Sequence, residues 1–281
     1  MFPTRRMVLG GLCALAAAAV RGAAAPSEIT VQLKMDYDQF VAGERIRAVV
    51  DVANASADVI DCRTEKSKDR LVLEVYRAED KYQFEKASDA PFTVGFALLS
   101  GEGQKLETFL GDHFSFRQTT RYQARAVLVH GGMRYESALR AFSVVPGASC
   151  GSALQLFEGR DDLKREFELV HWGRDKAEHL FLKVRDRGSL PRRWSTADLG
   201  PVLRVTRPKV SVLPTGVVVT LHRATRDAFI RTEFWSLPGA FELHEREVML
   251  DPEVAGAERV KAVYKEFGGV EPVKKAWWKF W

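Results

Sequence analysis

Three groups of residues have the types and spacing that chemistry requires. Gly147-Ala-Ser149-Cys-Gly151 matches G-x-S-x-G, the pattern of a serine nucleophile elbow. That motif works only on a sharp strand-to-helix turn over a parallel α/β sheet, and no alternation of strands and helices surrounds it here. A joint built of small residues reproduces the pattern by composition. The second group is His222, Arg223, Asp227, Arg231 and Glu233, followed by His244, Glu245 and Glu247. Strand alternation would bring His222, Glu233 and His244 onto one sheet face as a polar binding patch or acid–base group, with Arg231 beside them. The ordinary alternative is a solvated face whose charges pair across strands. The third group is Arg192-Arg193-Trp194 with Arg204 and Arg207, suited to an anionic group such as a sugar carboxylate or phosphate. Arg192 and Trp194 are the binding candidates in it. Arginines of this kind also cap loops and pair with local acids.

The six histidines form no His-x-x-x-His or Cys-x-x-Cys arrangement, so the sequence offers no zinc signature, and no cofactor or catalytic set is assigned. Carboxylates are numerous enough that some pair falls at glycosidase-like separation by accident.

These residues follow an export address. Arg5 and Arg6 make a positive start, the run from Met7 to Val20 carries no charge, and Gly22-Ala23-Ala24 supplies small residues for cleavage. The run falls short of the roughly 20 apolar residues that span a bilayer. Residues 1–24 therefore read as a signal peptide, and the mature chain is expected in the periplasm or outside the cell. Thr4-Arg5-Arg6-Met7-Val8-Leu9 resembles the twin-arginine export motif, with a Sec-type signal carrying two arginines as the alternative. Cys13 lies inside the apolar run after Leu12 and does not suit a lipid anchor.

Of 42 basic and 37 acidic residues, Arg5, Arg6 and Arg21 leave with the signal, so the mature chain has a net charge of +2. Charges of both signs are interspersed, without the basic stripe that nucleic acid requires. Two cysteines remain, Cys62 and Cys150. In an oxidising compartment such a pair suggests a disulfide, and closing a loop of roughly 90 residues would stabilise the fold by about 4–5 kcal/mol. A buried thiol and an exposed one are the alternative.

Period-two alternation dominates what must position these residues. Ile29–Met35, Arg45–Val52, Leu71–Tyr76, Phe92–Leu99, Lys105–Phe109, and Tyr122–Val129 with Tyr135–Val145 as a closing hairpin read as strands. Seven short strands in residues 26–147 point to an immunoglobulin-like sandwich. Residues 148–163 read as a linker. Residues 164–270 read as a second antiparallel β domain, with strands at Glu166–Trp172, His179–Arg185, Lys209–Leu213, Gly216–His222, Phe229–Leu237 and Phe241–Leu250. A helix is expected over 253–267, where Val254, Ala257, Val260, Ala262, Val263 and Phe267 lie largely on one face before Gly268-Gly269. The fold class is all-β.

Phe40-Val-Ala-Gly-Glu44, the strand after it, Asn54 and Arg121-Tyr122-Gln123-Ala124-Arg125-Ala126 resemble bacterial macroglobulin-type and related Ig-like modules. The resemblance implies a Tyr at the sandwich corner, and spacing, adhesion or binding without chemistry. Thr196-Ala-Asp198-Leu-Gly200 is similar to the Asp-box of sialidase-like propellers, in which it shapes a turn. The length excludes a complete propeller, leaving a blade-like sheet.

The last residues, 271–281, place Trp277, Trp278, Phe280 and Trp281 among lysines. This composition suits a membrane–water interface, a partner's groove, or packing back on the second domain. The sequence thus indicates an exported, non-enzymatic binding or scaffolding protein of the cell envelope, with carbohydrate or an envelope protein as partner. A carbohydrate-active enzyme or its accessory module is the alternative.

Overall fold

A computed structural model describes residues 28–64, 66–79, 95–116, 118–188 and 194–250. The signal peptide, the 253–267 helix, the tail and Arg192 lie outside the described residues.

The first domain contains β1 (Ile29–Met35), β2 (Gln39–Val41), β3 (Arg47–Asn54), β4 (Ile60–Asp61), β5 (Arg70–Arg77), β6 (Ala97–Leu98), β7 (Gly103–Phe109), a helical turn α1 (Leu110–His113), β8 (Arg121–His130), β9 (Met133–Glu136) and β10 (Arg140–Val145). Strands β1-β3-β7 make one sheet and β2-β10-β8-β5 the other, with β9 also on β8 and β4-β6 as a small separate pair. The alternation read from the sequence is the alternation buried: Ile29, Val31 and Leu33 of β1 face inward while Thr30, Gln32 and Lys34 face out. The closing hairpin forms as expected but is broken at Ser137. There the Ala126 N–H donates to Ser137 Oγ (3.0 Å) while the Ser137 N–H donates to the Ala126 carbonyl (2.9 Å). Tyr122 closes the corner. Its hydroxyl donates to the Gln118 carbonyl at 2.9 Å, and its ring stacks on Phe142 and meets Phe116 edge-on.

The second domain contains β11 (Ala148–Phe157), β12 (Arg160–Arg174), β13 (Ala177–Arg187), β14 (Trp194–Pro201), β15 (Lys209–Val212), β16 (Val217–Arg223), β17 (Ala228–Leu237) and β18 (Ala240–Leu250). Two antiparallel four-stranded sheets, β11-β12-β13-β14 and β15-β16-β17-β18, pack around Phe167, Leu169, Leu180, Leu182, Val218 and Phe234. This is a second sandwich rather than a propeller blade.

The expected linker is a strand. Residues 148–157 pair with β12, and their C-terminal half alternates as a strand, with Gln155 and Phe157 buried and Leu154 and Leu156 exposed. Ser149 sits in this extended strand opposite Val170, so the elbow geometry is absent. Gly147 turns the chain into β11 at φ +70, and a Cβ there would lie 2.8 Å from Val170 Cγ2, which explains the glycine without catalysis.

The cysteine pair is corrected as well. Both thiols are free: Cys62 is buried in the first domain's core and Cys150 packs at the edge of the second's. With the two thiols serving separate cores, no bridge joins them. Burial, with Asp69 and Asp61 nearby, pushes the Cys62 thiol up to about 12, and burial raises Cys150 as well.

Candidate functional site

The described polar groups converge where the two domains meet. β12 and β13 are joined by the two-residue turn Asp175-Lys176, both at positive φ (48° and 70°), the geometry that matches strand twist in a tight hairpin. Asn-Gly usually fills such a turn. Arg174, the residue before it, is carried across the domain boundary.

Its guanidinium donates to Glu44 Oε2 of the first domain (2.7 Å) and to Asp198 Oδ2 of β14 (3.0 Å). It lies over the rings of Tyr37 (4.2 Å to the centroid) and Phe181 (4.9 Å). Its side chain is 3% exposed. Burial disfavours the charge, but the Glu44 hydrogen bond and the charges of Glu44 and Asp198 prevail, and the pKa is raised.

Around this clamp the chain crosses over in hydrogen bonds. The Thr196 N–H donates to the Gly43 carbonyl (3.0 Å), Thr196 Oγ1 donates to the Ala42 carbonyl (2.7 Å), and Trp172 Nε1 donates to Gln39 Oε1 (3.0 Å). Gly43, at φ +88, leaves room for this approach, since a Cβ would stand 2.8 Å from Thr196 Oγ1. Val41, Val170 and Phe181 form a small apolar core under the clamp.

Asp198, the acid of the Asp-box-like segment, is the keystone on the second-domain side. It accepts from the Gly200 N–H (2.7 Å), from Arg174, and faces His179 Nδ1 (3.0 Å). Burial raises its pKa, but the His179 and Gly200 hydrogen bonds and the Arg174 charge outweigh that and leave it lowered. The segment lies within β14, where the Gly200 N–H to Asp198 bond accompanies a bulge opposite Leu180 and Phe181 and not the turn that the resemblance implied. With three donors on the carboxylate, little lone-pair capacity is left for base catalysis.

Beside the clamp a cleft of about 970 Å³ opens between the domains. The first domain contributes the turn 42–45 and residues 111–116, including Phe114 and Phe116. The second contributes Ser195, Thr196 and Ala197 of β14, with Phe234, Phe241 and Leu243. The cleft is the open side of the second sandwich, between edge strands β14 and β18, roofed by the first domain. Phe234 and Phe241 stack at 4.8 Å along its wall. Leu243, 61% exposed, projects at its mouth.

The predicted His222–Glu233–His244 patch does not assemble. His222 pairs with Ile230 and faces the inner side, whereas Glu233, three residues beyond Ile230, faces the other. His244 is the extra residue of a bulge opposite Glu233/Phe234 and lies 4.6 Å from the Trp235 ring. Arg231 and Glu233 pair with each other on the outer face. His222 itself is 2% exposed, and neither ring nitrogen has a side-chain partner; the Pro201 carbonyl faces it. Burial foremost, then the neighbouring Arg246 charge, pulls its pKa down to about 4. It is a neutral core histidine.

Of the other arginines, Arg204 is held by Glu178, and Arg207 donates to the Cys150 carbonyl. The backbone of Trp194 begins β14. Trp277, Trp278, Phe280 and Trp281 lie outside the described residues. Among the described residues no group of His, Cys, Asp and Glu could hold a metal ion.

Sequence reasoning missed Arg174, Glu44 and Tyr37. The only local signal was two charged residues, Asp175-Lys176, in a turn position that favours Asn-Gly. Nothing in it announced a contact over 130 positions.

The sequence matches no protein-family model and no curated protein. Among solved structures, Spo0M, a sporulation control protein from Bacillus subtilis, aligns at 13% identity and a TM-score of 0.29, over 85% of this chain and 97% of that one. The CsuC–CsuE chaperone–tip adhesion subunit pre-assembly complex of Acinetobacter baumannii Csu pili aligns at 10% identity and 0.24, over 79% and 97%. Similarity of this size lends neither protein's role to this chain.

Proposed function

We propose that this is an exported, non-enzymatic binding protein of the cell envelope that holds a protein segment or a carbohydrate chain in the cleft between its two sandwiches. The observation that carries the reading is the cleft itself. Its volume falls in the range of ligand sites, and its lining mixes aromatic rings (Phe114, Phe116, Phe241) with polar side chains (Glu44, Arg45, Asp112, Ser195). The Arg174 clamp beside it supports the reading, because fixed domains keep the two walls in register and lower the ordering cost of binding. The outer edge of β18, unpaired among the described residues, offers backbone groups to an extended polypeptide, and the partly exposed rings of Phe116 and Phe241 offer faces to sugars.

The test is a binding screen of the mature protein against glycans and purified envelope proteins, repeated with Leu243→Arg. Leu243 is exposed, so the variant should keep its melting temperature while losing at least tenfold in affinity, because it sets a bulky charge at the cleft mouth. Unchanged affinity for every ligand found would remove the cleft from the reading. Export rests on residues 1–24 and is tested separately by cell fractionation and N-terminal sequencing of the mature chain. Replacing Arg5 and Arg6 by lysine distinguishes twin-arginine from Sec export. Peripheral membrane contact through residues 271–281 is tested by vesicle flotation with and without that segment.

A further inference from the structure

The interdomain cleft ends on an arginine that no acid answers. Phe234 of β17 and Leu243 of β18 face each other across the ladder and line the cleft. The next inward position along β17 is Thr232, and its partner on β18 is Arg246. Arg246 reaches across the open side of the sandwich, where its Nη2 donates to the Leu199 carbonyl of β14 at 2.9 Å. Leu199 is the extra residue of the bulge opposite Leu180 and Phe181, so it stands outside the ladder's pairing. Gly200, at φ +92, clears the approach, because a Cβ there would stand 2.6 Å from Arg246 Nη2. On β18 the bulge at His244 falls between Leu243 and Arg246, so both edge strands are re-aimed at this end of the cleft.

The charges around the cleft do not balance. Glu44 accepts from Arg174 and Asp112 from Arg45 (3.3 Å), so each acid of the lining has its own arginine. Arg246 has its bond to Leu199 and no ion pair among the described residues. It is exposed as a residue, but its guanidinium is packed on β14, and that burial lowers its pKa. Only the charge of Asp198 opposes the effect, and that carboxylate is already shared by Arg174, His179 and the Gly200 N–H. Across the ladder Thr232 is 2% exposed, and its hydroxyl has no hydrogen-bond partner. A guanidinium offers five N–H donors in a planar fork. A charge left unmatched against protein is costly, and an anion entering along the cleft offsets that cost.

We infer that the ligand of the cleft carries a carboxylate on an apolar or aromatic body, and that Arg246 is the residue that selects for it. The inference deepens the reading of the cleft as a binding site and rests on it. The carboxylate meets the guanidinium donors that Leu199 leaves free, in the planar, two-pronged manner that lysine cannot offer. The body lies back along Leu243 and Phe241 toward Phe116. Leu243, 61% exposed, favours an apolar side chain over a hydroxylated ring, so a polypeptide segment suits the site better than a sugar acid.

The experiment titrates the full mature chain with N-acetylphenylalanine, its neutral amide N-acetylphenylalaninamide, and glucuronate. Binding is followed by calorimetry and by the Nε–H resonances of arginine-labelled protein. N-acetylphenylalanine should bind at least tenfold more tightly than the amide, shift the Arg246 resonance, and weaken as salt is added. Arg246→Gln should abolish the preference while leaving the amide's affinity unchanged. Equal affinity for acid and amide, with the Arg246 resonance unmoved, would overturn the inference and leave the cleft reading standing. Absence of binding by all three probes would remove both. Glucuronate binding more tightly than N-acetylphenylalanine would overturn the apolar body. If Arg246→Gln fails to fold, the acid-to-amide ratio and the Arg246 resonance of the unaltered chain decide.

Discussion

The two sandwiches bury different things. The first domain's core cluster is apolar, from Ile29 and Val50 through Leu73 to Phe142. The polar groups buried beside it include the uncharged, hydrogen-bonded Asn54, Ser56, Ser137 and Tyr122 hydroxyl, with Asp69 facing His130 as a charged exception. The second buries charge. Arg165, 1% exposed, makes a two-pronged pair with Asp186 (2.5 and 2.9 Å) and donates to Ser236 Oγ and the carbonyls of Leu237 and Ala240. Gln155 Nε2 reaches the Ser236 carbonyl in the same network, and His222 is enclosed farther along. Apolar burial is tolerant, since any well-packed side chain of similar volume serves. A buried network holds its elements in one register and fails sharply when one member is lost. Between pH 7 and 4.5 the first domain should therefore respond less to pH than the second. Its paired Glu74, in which burial is outweighed by hydrogen bonds to Tyr76, Arg134 and Arg125 that hold the carboxyl down to about 2, titrates only below that window.

Arg165→Ala breaks this contrast most severely. It leaves Asp186 as an uncompensated buried charge, a loss of about 3–5 kcal/mol. Urea unfolding should show an early transition of the second domain by tryptophan fluorescence, since Trp172 and Trp235 both lie there, while far-ultraviolet circular dichroism, which also follows the first domain, should retain a later transition nearly unmoved. The double variant Arg165→Met/Asp186→Leu removes both charges and should recover most of the loss. If the two variants unfold alike, the network contributes packing rather than charge pairing.

The next effect is pH. His222 is held neutral, with a folded pKa of about 4 against 6.5 for the free side chain. Between those values the unfolded chain takes up a proton that the folded chain refuses, so stability is full above pH 6.5 and declines as pH falls toward 4. The complete decline is about 3 kcal/mol, and it belongs to the second domain alone. His222→Leu should flatten the slope in that window. The lowered Asp198 carboxyl adds its own loss only at more acidic pH, as it is forced to protonate. A second domain whose melting temperature is level from pH 7 to 4.5 would remove His222 from the account.

The same contrast explains what could be read from the sequence. The first domain was legible because its strands are short and half-buried, and the alternation at Ile29–Met35 or Leu71–Tyr76 is the burial pattern itself. In the second, β16 is buried on both faces and β12 runs for 15 residues, so period two no longer reports which side chains meet. His222 and Glu233 were placed on one face because their strands do pair. The register puts them three residues apart across the ladder, and an odd offset means opposite faces. The β11 strand was hidden by Gly147, Ser149, Gly151 and Ser152, residues typical of a joint. The clamp was invisible for a simpler reason: Arg174 and Glu44 are brought together by the packing of whole domains, which no local pattern encodes.

The joint is where the two regions can be uncoupled. Arg174→Lys keeps the positive charge but cannot reach Glu44 and Asp198 at once or cover the Tyr37 ring with a planar group. A loss of about 1–2 kcal/mol is expected, expressed as separation of the two domains' unfolding transitions rather than as failure of either. Limited proteolysis between residues 145 and 148 should quicken in the variant. Transitions that stay merged would mean that Val41, Val170 and Phe181 hold the joint without the clamp.

Tyr122→Phe is the smallest change and the sharpest control. It deletes one hydroxyl at the first domain's corner and leaves the Gln118 carbonyl to find water, while the ring keeps its stacking on Phe142 and its edge contact with Phe116. About 1 kcal/mol of stability should be lost from the first domain, and the loss should be the same at pH 5 and pH 7. Because the hydroxyl is uncharged throughout that range, a pH-dependent effect would show that the first core is coupled to the second's buried charges. A pH-independent effect, beside the steep response of the His222 region, would establish that two sandwiches of one chain are stabilised by separable physics.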